Sequence, residues 1–368
     1  MPPGRRAAGL ADARRTPRAA PRSAATLSAP LRGSSASPRE PCGATAAPDD
    51  PQRSRGPTAD GGRLMPTWRQ ARLFLRLSRP WFLVGAALLY ALGLALAHYL
   101  GERMNPWLAA EGLALVLTLQ LAVHYINEYH DAGADAFNPN RTPFNGGSGA
   151  LGPEGLSRAT ALQAAVVSLA FVALLLTAML IRGETPPLAW VVIALVLPTA
   201  MQYSSPPLRL VASGYGEFLA ALVVSALVPT LAYTLQAGAM HRLLFLSTAP
   251  LVLFNFATIL AFEVPDYGTD LSTGKRTLMV RLGWESGMRL HDAAIVAGVV
   301  ALLAGAWLGL PARVTVGMLI VLPLAAAQVW QMGHVRRGAR PNWTLLTGGA
   351  VAFYVLASYL MFAGYATS

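Results

Sequence analysis

The sequence predicts an all-α membrane bundle of nine transmembrane helices, with the N-terminus cytoplasmic and the C-terminus outside. Three observations lead there. Of 368 residues 54% are hydrophobic and only 13% charged, with a mean hydropathy of +0.43, whereas a soluble domain carries roughly 25% charged residues. From Trp81 onward, apolar runs recur that are long enough to cross ~30 Å of hydrocarbon. The number of basic residues alternates from one intervening loop to the next, which is the signature of a fixed orientation in a bilayer.

The runs fall at about 81–100, 107–126, 159–181, 187–203, 216–237, 243–263, 291–310, 314–333 and 345–365. Eighteen basic residues lie beyond residue 64. Fourteen sit in the flank before the first run (Arg69, Arg72, Arg76, Arg79) or in the loops after the second, fourth, sixth and eighth. The other four loops hold one each: Arg103, Arg182, Arg242 and Arg313. That asymmetry puts the long loops 127–158 and 264–290 on the cytoplasmic side.

Residues 1–64 read as a tail, separate from a membrane domain over 65–368. The tail is rich in Ala, Arg, Pro, Ser and Gly, and holds 11 Arg against five acids. It buries too little apolar surface to offset ordering entropy, which predicts disorder. It has no apolar core of the secretory-signal kind, and its acids weigh against a transit peptide. The expectation is a dispensable tail, or translation from Met65 directly before the amphipathic stretch TWRQARLFLRLSRPW. The net charge of +11 is thus divided between tail and loops, which points to a bilayer and not to nucleic acid. Cys42 is the single cysteine, so no intrachain disulfide or cysteine metal site is expected.

Candidate chemistry concentrates in the two long loops. The second run leads into HYINEYHDAGADAFNPNRTPFNGGSGAL, where Asn127, Asp131 and Asp135 recur every four residues. At about 100° per residue they share one helix face over about 12 Å. The sixth run leads into LAFEVPDYGTD, with Glu263, Asp266 and Asp270 at i, i+3 and i+7. These also share a face, although Pro265 and Gly268 favour a kink or unwinding. Carboxylates at the membrane end of a helix are costly unless paired, hydrated or bound to a cation. Two acidic faces on one side of the membrane therefore predict a shared site. Oxygen donors without a His or Cys cluster suit Mg2+, which keeps waters and bridges carboxylates to a substrate phosphate. Glu128 and Glu154 fall off the spacing and read as solvated.

Lys275 is the only lysine among 29 basic residues. It follows Asp270 in the turn GKRT, where a flexible ammonium reaches a phosphate more adaptably than a planar guanidinium does. Arg276 beside it either assists or holds the loop to lipid headgroups. Arg141 follows Asp135 by six residues, and Gly146, Gly147 and Gly149 after it allow close backbone approach to an anion. His124 reads as a helix-packing residue before it reads as a base. Tyr203 is either an interface tyrosine or a group that orients an acceptor or faces a cation.

These residues resemble the UbiA-type superfamily of intramembrane aromatic prenyltransferases, nine-helix bundles with an N/D-x3-D-x3-D motif after helix two and a second aspartate-rich motif after helix six. NEYHDAGAD matches the first motif at Asn127, Asp131 and Asp135, and FEVPDYGTD matches the second at Asp266 and Asp270. Phe262 stands where the family has Asn or Asp, with Glu263 beside it either substituting as a ligand or only hydrating the site. The resemblance spans residues 68–367. RTPFNGGSGAL, YSSPPLRLVASGYGE and PDYGTDLSTGKRTLMVRLG are similar to the 1,4-dihydroxy-2-naphthoate polyprenyltransferase branch of menaquinone biosynthesis, with Arg209 as the one basic residue before Gly-x-Gly-Glu.

The resemblance implies Mg2+-dependent transfer of a polyprenyl group from its diphosphate to an aromatic ring carbon, at the cytoplasmic face of a bacterial inner membrane. It implies that Asp131, Asp135, Asp266 and Asp270 hold Mg2+, with Asn127 and Glu263 as further ligands. Lys275 and Arg141 would meet the departing pyrophosphate, and Tyr203, Arg209 and Arg276 would contact substrate. Prenylation of 4-hydroxybenzoate or homogentisate is an alternative. The rival of a different class is a carboxylate-using transporter, but such proteins place ionisable groups near the bilayer midplane and show repeat symmetry. A scaffold with a decayed site is disfavoured by the intact motif positions.

Overall fold

A computed structural model describes residues 67–367. The expected tail over 1–64, with Cys42, and the alternative start at Met65 lie outside the described residues. The elements are α1 Thr67–Leu77, α2 Pro80–Tyr99, α3 Pro106–Asp135, α4 Arg158–Arg182 and α5 Pro187–Met201, then α6 Gly216–Ala237, α7 Arg242–Thr273, α8 Leu278–Leu282, α9 Trp284–Trp307, α10 Ala312–Arg336 and α11 Trp343–Ala366. Among the described residues the one β feature is an isolated bridge between Leu151 and Leu156.

Local chemistry sets the boundaries. Asn105 accepts the amides of Trp107 and Leu108 at the start of α3, with Pro106 fixing the first turn. Ser157 and Asn342 cap α4 and α11 in the same way. Gly183, Gly238 and Gly274 end α4, α6 and α7 in the left-handed conformation that glycine adopts without a Cβ penalty.

Among the described residues, eight helices are long and apolar enough to cross a membrane: α2, α3, α4, α6, α7, α9, α10 and α11. The fourth expected span is different. α5 has 15 residues, which rise about 22 Å and fall short of the ~30 Å hydrocarbon core. Nine expected spans are thus eight full-length helices and one short apolar helix, which stops at Met201 before the turn-rich QYSSPP segment.

A second difference bears on the site. α3 and α7 run on for 30 and 32 residues, past the expected span ends at 126 and 263, so both acidic motifs ride on continuous helix, as their spacing predicts. α7 passes Pro265 without unwinding, and Asn140 Nδ2 donates to the Pro265 carbonyl at 3.3 Å. α7 is also the most enclosed span, packed against α6, α9 and α11, while α2 packs on α6 and α11, and α3 on α4.

Close packing has a specific demand at Gly93 in α2. A Cβ there would overlap the Pro229 carbonyl oxygen and Ala232 of α6, and backbone cannot step aside as a flexible side chain would. Gly93→Leu should therefore destabilise the bundle by about 1–3 kcal/mol, read as a lower thermal midpoint in detergent. An unchanged midpoint would contradict this contact.

Candidate active site at the ends of α3 and α7

The last turns of α3 and α7 meet, and Lys275 stands where they do. Its Nζ lies 3.2 Å from Asp131 Oδ2, so the turn after α7 is held to the face of α3. Asn127 Nδ2 donates to the same oxygen at 3.1 Å and to Ser204 Oγ at 3.0 Å. Burial alone would lower the pKa of the ammonium, but Asp131 and Asp270 outweigh it and hold the group above the ordinary lysine range. Lys275 therefore stays charged at physiological pH. Gly274, with φ 73°, turns the backbone so that the Lys275 amide closes on the Asp270 carbonyl at 2.9 Å.

Asp266 is reached from the loop that follows α3. Asn138 Nδ2 donates to its Oδ1 at 2.6 Å, and Asn145 Nδ2 donates to the same oxygen. Asp135 is contacted by that loop too. Its carboxylate lies against Gly147, where φ is +75° and any Cβ would collide with it, so this glycine is required on both counts. Asp131 and Asp270 are buried.

Other expected site residues are placed as follows. Glu263 Oε2 accepts the Met279 amide at 3.3 Å, and its carboxyl faces that of Glu217, which accepts the Leu278 amide at 2.6 Å. Both thus anchor the start of α8. Tyr203 is partly enclosed in the turn after α5, and burial raises its phenol above the ordinary tyrosine pKa, which keeps it a neutral donor. Arg141 is exposed; its guanidinium donates to the Gly146 carbonyl at 2.5 Å and the Asp135 carbonyl at 3.0 Å, stiffening the loop. Arg209 and Arg276 are exposed. His124 packs in the core, with Nδ1 at 3.2 Å from the Ser78 carbonyl and Nε2 at 3.0 Å from Gln120. Glu154 is exposed as expected.

Glu128 corrects the sequence reading. It is 3% exposed, not solvated. Oε1 pairs with the Arg79 guanidinium and accepts the Ser148 amide at 2.6 Å, while Oε2 accepts the Ser148 hydroxyl at 2.8 Å. Arg79 sits at φ 49°, unusual for a side-chain-bearing residue, at the junction of α1 and α2. Arg76 adds a bond to the Ser148 carbonyl at 3.1 Å. The acid is thus the hub that fastens the glycine-rich loop to the entry of the first span. Beside it, Glu128, Asp135, Arg141 and Arg158 border a cavity of about 270 Å³ on the flank of α3.

Among the described residues, no three His, Cys, Asp or Glu side chains close around one point as a protein-only metal cage would. The donors present suit another arrangement. Asp131 with Asp135, and Asp266 with Asp270, offer two pairs of hard oxygen donors, and a cation held by one or two carboxylates completes its shell with water and phosphate oxygens.

The chain belongs to the UbiA prenyltransferase family, whose profile matches residues 86–347. Its fold is similar to that of a UbiA homolog from Archaeoglobus fulgidus bound to GPP and Mg2+, with a TM-score of 0.55 at 14% identity over 79% of this chain and 99% of that one. A digeranylgeranylglyceryl phosphate synthase gives a TM-score of 0.54 at 12% identity, over 81% of this chain and 99% of that one. The apo form of a UbiA homolog from Aeropyrum pernix K1 gives 0.51 at 16%, over 80% and 97%. At such identities the likeness is one of fold. A comparison with curated proteins returns no sequence match.

Removing one partner of a buried ion pair costs about 3–5 kcal/mol, and less where the survivor reaches water. The Arg79 side chain is 19% exposed, so Glu128→Leu should cost about 2–3 kcal/mol, measured by thermal unfolding in detergent. Equal stability of variant and parent would remove Glu128 from this role.

Proposed function

We propose that the protein transfers a polyprenyl group from its diphosphate to an aromatic ring carbon, with Mg2+, and that the acceptor is 1,4-dihydroxy-2-naphthoate on the route to menaquinone. The observation that carries the reading is the Lys275–Asp131 contact of 3.2 Å, which joins the two acidic motifs of the family at one point. Bound Mg2+ would neutralise the charge that develops on the departing diphosphate.

The chain's own residues have distinct parts. Asp131, Asp135, Asp266 and Asp270 would hold the cation, with the Asn127 side-chain oxygen as a further donor, while Glu263 supports α8. Lys275 leaves Asp131 to meet the diphosphate as a mobile point charge. Arg141, Arg209 and Arg276, all exposed, guide an anionic donor toward the site through long-range attraction. Phe262 lies one turn before Asp266 on α7, stacked with Phe144 at 6.4 Å and edge-on to Phe82 at 6.4 Å. Its ring face offers a quadrupole to positive charge that builds on the allylic carbon. Tyr203, a neutral donor near Lys275, orients the acceptor. Apolar walls keep water from the allylic cation. The positive-inside pattern of the loops supports a site that faces the cytoplasm of a bacterial inner membrane.

The naphthoate assignment rests on the sequence similarity of three loop segments to that branch. A test is incubation of membranes with labelled polyprenyl diphosphate, Mg2+ and, in turn, dihydroxynaphthoate, 4-hydroxybenzoate and homogentisate, with mass spectrometry of the lipid product. A prenylated naphthoate is expected; product only with another acceptor would move the branch, and no diphosphate release with any would refute transfer. Asp131→Ala and Asp266→Ala should each lower turnover at least 100-fold without loss of membrane insertion, an electrostatic loss of the size seen when one charge-stabilising group is removed. Lys275→Arg should raise the KM for the donor with a smaller change in kcat. An unchanged donor titration would assign the lysine to the loop alone.

A further inference from the structure

The loop after α3 touches one acid of each motif, and its contact with Asp266 is the more specific. Two amides, Asn138 and Asn145, donate to a single oxygen of that carboxylate, Oδ1. The side chains are themselves held. Asn138 Oδ1 accepts the Asn140 amide at 2.9 Å, which fixes its amide plane. Thr142 Oγ1 donates to Asn145 Oδ1, and Thr347 Oγ1 of α11 donates to Thr142 Oγ1 at 3.1 Å. Thr142, Asn145 and Thr347 are all buried. A relay of hydrogen bonds therefore runs from α11 through the loop to α7 and ends on one carboxylate oxygen.

This arrangement does two things that a lysine on Asp266 would not. The amide donors hold the carboxylate without bringing a charge that a metal would have to displace. They also fix Oδ1, and the Gly146 backbone amide adds a third neutral donor to the same carboxylate, so that the loop sets the plane of the group. Asp131 is different, since its Oδ2 carries a lysine and an amide in this structure. We infer that Asn138 and Asn145 are positioning residues of the metal site, which hold the Asp266 carboxylate in the orientation that serves a cation shared with α3. The inference rests on the proposed metal-dependent reaction and adds residues that the motif spacing does not contain.

Partners in this relation to a metal ligand change metal affinity by about 10–100-fold when removed. The test is Mn2+ binding to purified, detergent-solubilised full chain with geranyl S-thiolodiphosphate, followed by electron paramagnetic resonance. Asn145→Leu and Asn138→Leu should each raise the half-saturating Mn2+ concentration about 10-fold or more. The thermal midpoint of each variant separates weaker binding from misfolding. Asn140→Ala, whose side-chain amide meets a backbone carbonyl and not a carboxylate, should leave Mn2+ binding within twofold. Excess Mg2+ should recover kcat in Asn145→Leu while the raised metal requirement persists. If parent protein binds Mn2+ with the analogue but Asn138→Leu and Asn145→Leu match it within twofold, or if Asn140→Ala weakens binding equally, the inference is overturned. If the parent itself binds no Mn2+ with the analogue, the metal-dependent reading fails first.

Discussion

Mutual repulsion of carboxylates is the constraint that shapes this site. Asp131, Asp135, Asp266 and Asp270 are brought to the C-terminal ends of two long helices, where the helix dipoles are already negative. Unrelieved, that concentration of charge would push α3 and α7 apart. The chain relieves it in two ways: the Lys275 ammonium on Asp131, and the Asn138 and Asn145 amides on Asp266. What remains unrelieved is an attraction for a cation. Binding power toward a metal-bridged anion follows from a structural debt that the fold only partly settles.

The loop between α3 and α4 is where these devices are assembled. It is fastened from one side by Glu128, which binds the Ser148 amide and hydroxyl and pairs with Arg79. From the other side it is fastened by Asp266 and by Thr347 of α11. A segment that reads as flexible, with glycines at 146, 147 and 149, is in fact pinned at both ends. Its glycines take positive φ, and at Gly147 backbone, not side chain, lies over Asp135.

Much of this was legible in the sequence because it depends on local periodicity. The four-residue spacing of Asn127, Asp131 and Asp135 is helical, and the apolar runs are long enough to be recognised singly. The isolation of Lys275 among arginines also marked it. The less legible features depend on distance along the chain. Asn138 and Asn145 sit in a turn-forming stretch where asparagine is common, and only the tertiary fold brings their amides to Asp266, more than 120 residues away. Glu128 reads as solvated by spacing, because its partner Arg79 lies 49 residues earlier. Pro265 suggested a break, but its cost is one missing donor in a helix enclosed by neighbours. The fourth apolar run read as a span because composition does not reveal that its helix stops at Met201.

Anomalous diffraction from crystals grown with Mn2+ and a non-hydrolysable prenyl diphosphate tests the central claim most directly. The expected result is manganese between the Asp131–Asp135 and Asp266–Asp270 pairs, contacting diphosphate oxygens, with the Lys275 ammonium moved off Asp131 and onto the diphosphate. Diphosphate bound without metal at these aspartates, or manganese seated instead in the cavity bordered by Glu128 and Arg158, would contradict it.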